Sequence, residues 1–217
     1  MSHKLPLHYL TRPSSLKENA PLLVMLHGYG SDENDLFSFA NELPKELFII
    51  SLKAPYPLQP HGNAWYAINF DAEQNKWNDN DQARSSMKLL LDCIEKACNI
   101  YPVDKNNVSL LGFSQGCILG MATALNHPSK FKNIIGLSGY LNHDILPDSM
   151  EVLDYSKLNF YCSHGTADQV IPVEWARQTP VFLKTLNIVH KYSEFPVGHG
   201  LAPKNFFELR EWISTKI

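Results

Sequence analysis

One serine in the sequence lies in a pattern that could make it a nucleophile. Ser114 is the central residue of Gly112-Phe113-Ser114-Gln115-Gly116, which follows an apolar run and precedes a helical pattern. A tight strand-to-helix turn of this kind lifts the hydroxyl above the edge of a sheet, and the positive end of the helix dipole favours an anion beside it. A glycine turn with an idle serine is the alternative, but the position between strand and helix favours the nucleophile.

A serine hydroxyl needs a nearby base before it can attack a carbonyl carbon at neutral pH. In α/β-hydrolases the order along the chain is serine, acid, histidine. The histidines after Ser114 are His127, His143, His164, His190 and His199. We expect His199 to be the base, because it lies between two glycines in a loop just after a predicted strand, whereas His164 comes too early to follow the acid. A solvated loop histidine is the alternative.

The base in turn needs a carboxylate that holds its ring. The aspartates between the serine and the selected histidine are Asp144, Asp148, Asp154 and Asp168. The segment that ends at Asp168 directly follows a predicted strand at residues 158–162, whereas the other three lie in an irregular polar stretch. We therefore expect Asp168 to be the acid, with a turn-forming aspartate as the alternative.

The elements that must position these residues alternate along the chain. Apolar runs predict strands over residues 22–26, 48–50, 108–113, 134–137, 158–162 and 190–195, and helical spacing predicts helices over residues 81–101, 116–126, 173–186 and 204–214. Pro180 should kink its helix or split it in two. Such alternation is typical of an α/β fold with a mostly parallel central sheet and helices on both faces. Sites in these folds lie at the carboxyl ends of the strands.

Length and composition predict one domain over residues 1–217. The chain has 217 residues, of which 44% are hydrophobic and 19% are charged, which suffices for a sizeable core. The formal net charge of −3 argues against a nucleic-acid-binding surface, which usually needs a basic excess. No stretch reaches the roughly 18 apolar residues of a membrane span. The N-terminus lacks the apolar segment of a signal peptide.

The cysteines and histidines do not form a metal-binding pattern. The four cysteines show no CxxC motif, and none of the nine histidines has zinc-ligand spacing with a second ligand. We expect reduced, buried thiols in a cytoplasmic protein, with metal ligation as the weaker alternative.

A glycine-containing loop, His27-Gly28-Tyr29-Gly30-Ser31, follows the first predicted buried strand. Acyl transfer builds negative charge on an oxygen that backbone N–H groups stabilise. One donor should be the N–H of Gln115, after the nucleophile, and the second should come from this loop. A phosphate-binding loop is the alternative, but it lacks the lysine that such a loop requires.

Four motifs together resemble the phospholipase/carboxylesterase family of α/β-hydrolases, which includes acyl-protein thioesterases and small bacterial carboxylesterases. They are Leu26-His27-Gly28-Tyr29-Gly30, Gly112-Phe113-Ser114-Gln115-Gly116, His164-Gly165-Thr166-Ala167-Asp168 and Gly198-His199-Gly200. The resemblance extends from about Leu22 to the final helix. It implies an α/β-hydrolase fold without a large lid domain, a triad of Ser114, Asp168 and His199, and an oxyanion hole made by the N–H groups of Tyr29 and Gln115. It also implies no metal and no cofactor. The side chains of Tyr29 and Gln115 should then matter little.

Residues 54–57 and 64–66 resemble the family's loop beside the acyl pocket. This implies substrate contacts by Trp65, Tyr66 and Phe70, with ordinary core filling as the alternative. Trp65-Tyr66 stands where eukaryotic acyl-protein thioesterases typically carry Trp-Phe-Asp, so the chain is more similar to the bacterial esterase branch.

These features predict a serine hydrolase that cleaves carboxylic esters or thioesters through an acyl-enzyme on Ser114. It would be a carboxylesterase, (lyso)phospholipase or acyl-thioesterase acting on a small-molecule substrate, without nucleic-acid or integral membrane association, as a monomer or loose homodimer. A non-catalytic ligand-binding relative and a scaffold that works by association are the alternatives from other classes. The motifs leave open the acyl chain length and the choice among ester, thioester and lysophospholipid.

Overall fold

The computed structural model describes residues 4–70 and 76–217, and for Phe70 and Lys76 it describes the backbone alone. The strands are β1 (Tyr9–Arg12), β2 (Ala20–Leu26), β3 (Phe48–Leu52), β4 (Tyr56–Pro57), β5 (Asn63–Ala64), β6 (Ile68–Phe70), β7 (Lys76–Asn78), β8 (Val103–Phe113), β9 (Asn133–Leu137), β10 (Asn159–Gly165) and β11 (Val189–Phe195). The helices are α1 (Asn34–Phe37), α2 (Asn80–Ile100), α3 (Gln115–Asn126), α4 (Val173–Ala176), α5 (Gln178–Thr185) and α6 (Pro203–Ser214).

Seven of the strands form the central sheet, in the order β1-β3-β2-β8-β9-β10-β11. All neighbouring pairs in this sheet are parallel except β1 with β3, which is antiparallel. The predicted mostly parallel sheet is therefore confirmed. The remaining strands form two short antiparallel ribbons, β4 with β5 and β6 with β7. Because the parallel strands run the same way, their carboxyl ends lie along one edge of the sheet.

The inner strand β2 shows why helices cover both faces of the sheet. Leu22, Val24 and Leu26 pack into a core with α2, α3 and α5, whereas Leu23 and Met25 point to the other face and pack with α1 and α6. Side chains alternate between the faces of a strand, so an unbroken apolar run must be buried on both sides. Each such side chain, fully buried, stabilises the fold by about 1.5–3 kcal/mol.

The antiparallel edge strand β1 was not predicted from the sequence. Its residues are only half buried, so it carries no strong apolar signal. The strand is held by its antiparallel pairing with β3. It is also held by Arg12, whose guanidinium donates hydrogen bonds to four backbone carbonyls in residues 40–47. These partners are distant in the sequence, which is why local pattern did not indicate them.

Pro180 lies where the sequence predicts a broken helix. Residues 173–186 form two helices, α4 and α5, which meet at Arg177. Pro180 is the third residue of α5, within the first turn, where a backbone N–H has no intrahelical partner. The proline therefore costs α5 no hydrogen bond, and the predicted split is confirmed.

Two further features concern the chain as a whole. All four cysteines are free thiols; Cys93, Cys117 and Cys162 are buried, as the sequence predicts, whereas Cys98 is only partly buried. Among residues 4–70 and 76–217, no helix combines the length and the apolar character needed to cross a membrane.

The packing of α3 against β2 generates a stability prediction. A Cβ on Gly116 would lie 2.1 Å from the Leu26 carbonyl oxygen, whereas a Cβ on Gly120 would meet side-chain atoms alone, the Leu26 Cδ1 at 3.3 Å and the Leu110 Cδ1 at 3.9 Å. Gly116→Ala should therefore destabilise the protein by about 2–3 kcal/mol or more, because backbone must move. Gly120→Ala, the matched control, should change stability by no more than about 1 kcal/mol. Urea unfolding measures both, and equal effects would contradict the close approach.

Candidate active site

Ser114 occupies a strained turn between β8 and α3. Its φ of 52° and ψ of −117° lie in a region that residues with a side chain rarely adopt. Two contacts hold the turn. A Cβ on Gly112 would lie 2.3 Å from the Gly116 carbonyl oxygen, so only glycine fits there, and the Ser114 N–H donates a 2.9 Å hydrogen bond to the carbonyl of Leu137 at the end of β9. The predicted strand-to-helix turn is thus present.

The structure brings Ser114, His199 and Asp168 into one hydrogen-bonded chain. The Ser114 Oγ lies 3.0 Å from His199 Nε2, and His199 Nδ1 lies 2.7 Å from Asp168 Oδ2. The carboxylate can only accept, so Nδ1 carries the proton and Nε2 is free to accept the hydroxyl proton. Asp168 and His199 stand in loops after β10 and β11, which places all three at the carboxyl edge of the sheet.

The Asp168 carboxylate is buried and hydrogen-bonded on both oxygens. Its side chain is 0% exposed, and Oδ1 accepts from the N–H groups of Val170 at 2.8 Å and Ile171 at 3.0 Å. Burial alone would raise the pKa of Asp168, but the backbone N–H groups and the His199 ring outweigh burial and hold the pKa below its ordinary value. The group is therefore an anion in the range where His199 would act as a base.

The loop that carries Asp168, residues 166–172, is called the acid loop, and it is hydrogen-bonded to the chain around His199. The N–H of Thr166 donates to the carbonyl of Phe195 at 2.8 Å, and the N–H of Ala167 donates to the carbonyl of Val197 at 3.0 Å. The ring of Phe113 packs against the His199 ring with 5.0 Å between centroids. These contacts restrict the His199 ring before any substrate arrives.

His164 is a neighbour of the acid that sequence reasoning set aside. This residue is 1% exposed, and its Nε2 lies 2.9 Å from the Ile171 carbonyl oxygen and 3.2 Å from Asp168 Oδ2. Since a carbonyl oxygen only accepts, Nε2–H donates to Ile171 and holds the turn that presents Asp168. The sequence signal that indicates a role for His164 is its position four residues before Asp168, near the end of a buried strand.

The other aspartates between Ser114 and His199 take no part in this hydrogen-bonded chain. Within the described residues, none of the exposed carboxylates Asp144, Asp148 and Asp154 contacts a histidine ring. Asp154 instead accepts from the N–H of Ser156 at 2.9 Å, as an aspartate in a turn does. Among residues 4–70 and 76–217, no group of three His, Cys, Asp or Glu side chains is placed to hold a metal ion.

The glycine loop, residues 27–31, passes beside the nucleophile. A Cβ on Gly28 would lie 3.4 Å from the Ser114 Cβ, so the loop and the serine turn are in contact. The N–H groups of Tyr29 and Gln115 make no hydrogen bond to any described residue. Two free N–H groups beside a nucleophile are what an oxyanion hole requires.

His27, at the start of the glycine loop, is a fixed neutral ring. It is 0% exposed, its Nε2 accepts from the Ala54 N–H at 3.0 Å, and its Nδ1 donates to the Gly28 carbonyl at 2.7 Å. Burial lowers the pKa of His27, and both ring nitrogens are already used in the neutral form. His27 therefore supports the loop and does not take part in proton transfer.

The side chains expected to contact substrate are placed differently. Trp65 is 0% and Tyr66 is 1% exposed, so neither lines an open surface beside Ser114. Their burial favours the alternative of core filling, and contact of Trp65 and Tyr66 with a substrate stays a prediction. The side chain of Phe70 lies outside the described residues, and its contact with substrate stays a prediction.

The carboxamide of Gln115 is also not idle, although the sequence suggests that only its backbone matters. Gln115 is 3% exposed, its Oε1 accepts from the Trp65 N–H at 2.8 Å, and its Nε2 donates to the Tyr66 carbonyl at 2.7 Å. Nothing in the GxSxG pattern indicates these partners, because they lie in a distant loop.

An exposed apolar surface borders the acid loop. Val170 and Trp175 follow β10 and are 59% and 49% exposed, and the Trp175 ring packs edge-on against Tyr140, with 5.2 Å between centroids. Tyr140 follows β9, the strand next to the nucleophile turn. Large apolar side chains that are exposed beside a candidate site are typical of a surface that binds an apolar ligand.

Comparison with known proteins agrees with this architecture. Residues 13–217 match the family model described as Phospholipase/Carboxylesterase. The chain is 26% identical over 210 residues to acyl-protein thioesterase 1 of Yarrowia lipolytica, covering 90% of this chain and 91% of that protein. It is 23% identical over 208 residues to lysophospholipase-like protein 1 of Mus musculus, covering 90% and 86%.

A solved structure is similar in fold. The Bacillus cereus carboxylesterase superposes with a TM-score of 0.83 at 19% identity, covering 98% of this chain and 95% of that chain. The α/β-hydrolase fold expected from the motifs is therefore confirmed, and no large lid domain is present among residues 4–70 and 76–217. With a family model that matches nearly the whole sequence, the chain belongs to the phospholipase/carboxylesterase family.

Proposed function

We propose that this protein is a serine hydrolase that cleaves carboxylic esters or thioesters through an acyl-enzyme on Ser114. The observation that carries the proposal is the continuous hydrogen-bonded chain from Ser114 Oγ to His199 Nε2 at 3.0 Å and from His199 Nδ1 to Asp168 Oδ2 at 2.7 Å. This arrangement supplies a nucleophile, a base and an orienting anion in the relation that acyl transfer needs.

In the first half-reaction, Ser114 Oγ attacks the carbonyl carbon of the substrate and its proton moves to His199 Nε2. The carbonyl oxygen becomes an anion, which the N–H groups of Tyr29 and Gln115 stabilise. The tetrahedral intermediate then collapses, the bond to the leaving group breaks, and His199 returns the proton to the departing alcohol or thiol. Asp168 stabilises the transient imidazolium and stays ionised.

In the second half-reaction, water replaces the leaving group. His199 Nε2 takes a proton from the water, whose oxygen attacks the acyl carbon of the ester on Ser114. A second tetrahedral anion forms in the same oxyanion hole and collapses. The carboxylic acid product leaves and the Ser114 hydroxyl is restored by the proton from His199.

The apolar surface of Tyr140, Val170 and Trp175 supports a substrate with an apolar portion. We place the acyl chain or an apolar leaving group there, and not against Trp65 or Tyr66. A small-molecule ester or thioester, with the protein acting as a single-domain monomer or loose homodimer, completes the proposal. Free cysteines fit a cytoplasmic location, and the net charge of −3 fits a function without nucleic acid.

Replacing the nucleophile tests the proposal directly. Ser114→Ala should abolish covalent labelling by a fluorophosphonate and lower kcat for p-nitrophenyl esters by about 10⁴-fold or more, because the covalent route is lost. Ser156→Ala, at an exposed serine, is the control and should label and turn over like the wild type. If wild-type protein neither labels nor hydrolyses these esters, a ligand-binding role without catalysis would replace the proposal.

The acid can be tested with a matched pair of substitutions. Asp168→Asn should lower kcat/KM by about 10³–10⁴-fold, because an amide would favour the wrong tautomer of the His199 ring. Asp154→Asn, which removes an exposed carboxylate, should leave kcat/KM within about twofold of the wild type. Steady-state ester hydrolysis measures both variants. A larger loss in the Asp154 variant would show that the acid is misassigned.

The apolar surface predicts a chain-length effect. Trp175→Ala should lower kcat/KM more for octanoyl than for acetyl esters, because each buried methylene contributes up to about 0.8 kcal/mol. Phe207→Ala removes an aromatic ring that is 55% exposed on α6, on the other face of the sheet, and serves as control. A series of p-nitrophenyl esters gives the profile. A uniform loss across the series would exclude this surface as the acyl site.

A further inference from the structure

The two candidate oxyanion donors lie on separate parts of the chain. The Tyr29 N–H belongs to the glycine loop and the Gln115 N–H belongs to the first turn of α3. Both must point at one oxygen from about 2.7–3.1 Å, so a shift of a few tenths of an ångström in either part would weaken the hole. Some structure has to fix the spacing between the two parts.

A bridging segment, residues 63–66, holds the glycine loop on both sides of Tyr29. On one side, the Trp65 indole Nε1–H donates to the His27 carbonyl at 2.9 Å. On the other side, the Gly30 N–H donates to the Asn63 carbonyl at 3.0 Å, and the Asn63 N–H donates to the Ser31 carbonyl at 2.8 Å. Tyr29 is left between these attachments, and its own N–H makes no hydrogen bond within residues 4–70 and 76–217.

The same segment is held by the residue that supplies the second donor. Gln115 accepts from the Trp65 N–H through Oε1 and donates to the Tyr66 carbonyl through Nε2, at 2.8 and 2.7 Å. Both polar ends of the carboxamide are therefore used, and the partners define its orientation. Ser86 on α2 donates to the Trp65 carbonyl from behind. One hydrogen-bonded circuit thus joins Gln115 to both flanks of Tyr29.

We propose that the bridging segment sets the distance between the two oxyanion donors, with the Trp65 indole and the Gln115 carboxamide as its attachment points. Both are positioning residues, since neither side chain touches the substrate. The inference rests on the proposed acyl-transfer function. It gives Trp65 a role that depends on one N–H group, separate from the volume that its ring fills in the core.

Two variants remove the attachment points and keep both backbone N–H groups of the oxyanion hole. Trp65→Phe keeps an aromatic ring but removes the bond to the His27 carbonyl, and Gln115→Met keeps a side chain of similar length and the backbone N–H. The control is Tyr155→Phe, which removes another buried donor to a backbone carbonyl, the 3.2 Å bond to Leu125. Trp65→Phe and Tyr155→Phe each lose one buried hydrogen bond and Gln115→Met loses two, so the melting temperature should fall in all three and most in Gln115→Met.

The informative measurement compares a p-nitrophenyl ester with its thiono analogue, in which sulfur replaces the carbonyl oxygen. Sulfur is a larger and weaker hydrogen-bond acceptor, so an intact hole favours the ester. Deleting one donor costs about 10²–10³-fold in kcat, and displacing one should cost about tenfold in Trp65→Phe and up to about 10²-fold in Gln115→Met. The ester-to-thionoester ratio of kcat/KM should fall by a similar factor, with the ester's loss mainly in kcat.

Each outcome separates the two claims. A wild-type-like ratio in folded Trp65→Phe, or an equal loss for ester and thionoester, would overturn the positioning role while leaving the serine hydrolase intact. The same drop in ratio in Tyr155→Phe would assign the effect to general loosening and also overturn it. Absence of ester hydrolysis and of Ser114 labelling in the wild type would overturn the proposed function and the inference together.

Discussion

The site depends on one strained residue. A side-chain-bearing residue at the φ of Ser114, 52°, costs of the order of 1–3 kcal/mol, so the surrounding fold has to impose it. Two close backbone contacts impose this conformation. At Gly116, α3 packs directly onto the end of β2, and at Gly112 the strand β8 packs directly onto α3. Ser138, at the end of the neighbouring strand β9, has the same φ and donates its N–H to the carbonyl of Ser163. Two adjacent strand ends are thus held in a conformation that directs their next residues over the sheet edge.

Beside this turn, backbone N–H groups and the His199 ring stabilise a buried anion. Asp168 has no Lys or Arg partner among the described residues, yet each of its oxygens is engaged by backbone or imidazole. Hydrogen bonds to an ionised group are stronger than those between neutral groups, and they do not require a second charge to be desolvated. Fixed dipoles of this kind need no rearrangement when charge develops during a reaction, which is the condition for electrostatic preorganisation.

Sequence predicted those parts of the molecule whose signals are local. The strands β2 and β8 contain apolar runs, and the residues after β8, β10 and β11 could be chosen because parallel strands end at one edge. Long-range partners were not accessible in this way. The sequence pattern does not distinguish an aromatic residue in a pocket wall from one in the core. The burial of Trp65 and the direction of its indole N–H therefore follow only from the three-dimensional structure. His164 was set aside by its order in the chain, whereas its role follows from its distance to Asp168.

The acid loop divides its work between backbone and side chains. The N–H of Val170 binds the Asp168 carboxylate, while the side chain of the same residue is 59% exposed on the apolar surface. Any residue other than proline supplies that N–H, so the side chain at this position can change without removing a bond to the acid. The exposed apolar surface and the hydrogen bonds of Asp168 are therefore encoded in different atoms of one segment. Under the proposed function, such a separation would let substrate range change by single substitutions at Val170 without moving the Asp168 carboxylate.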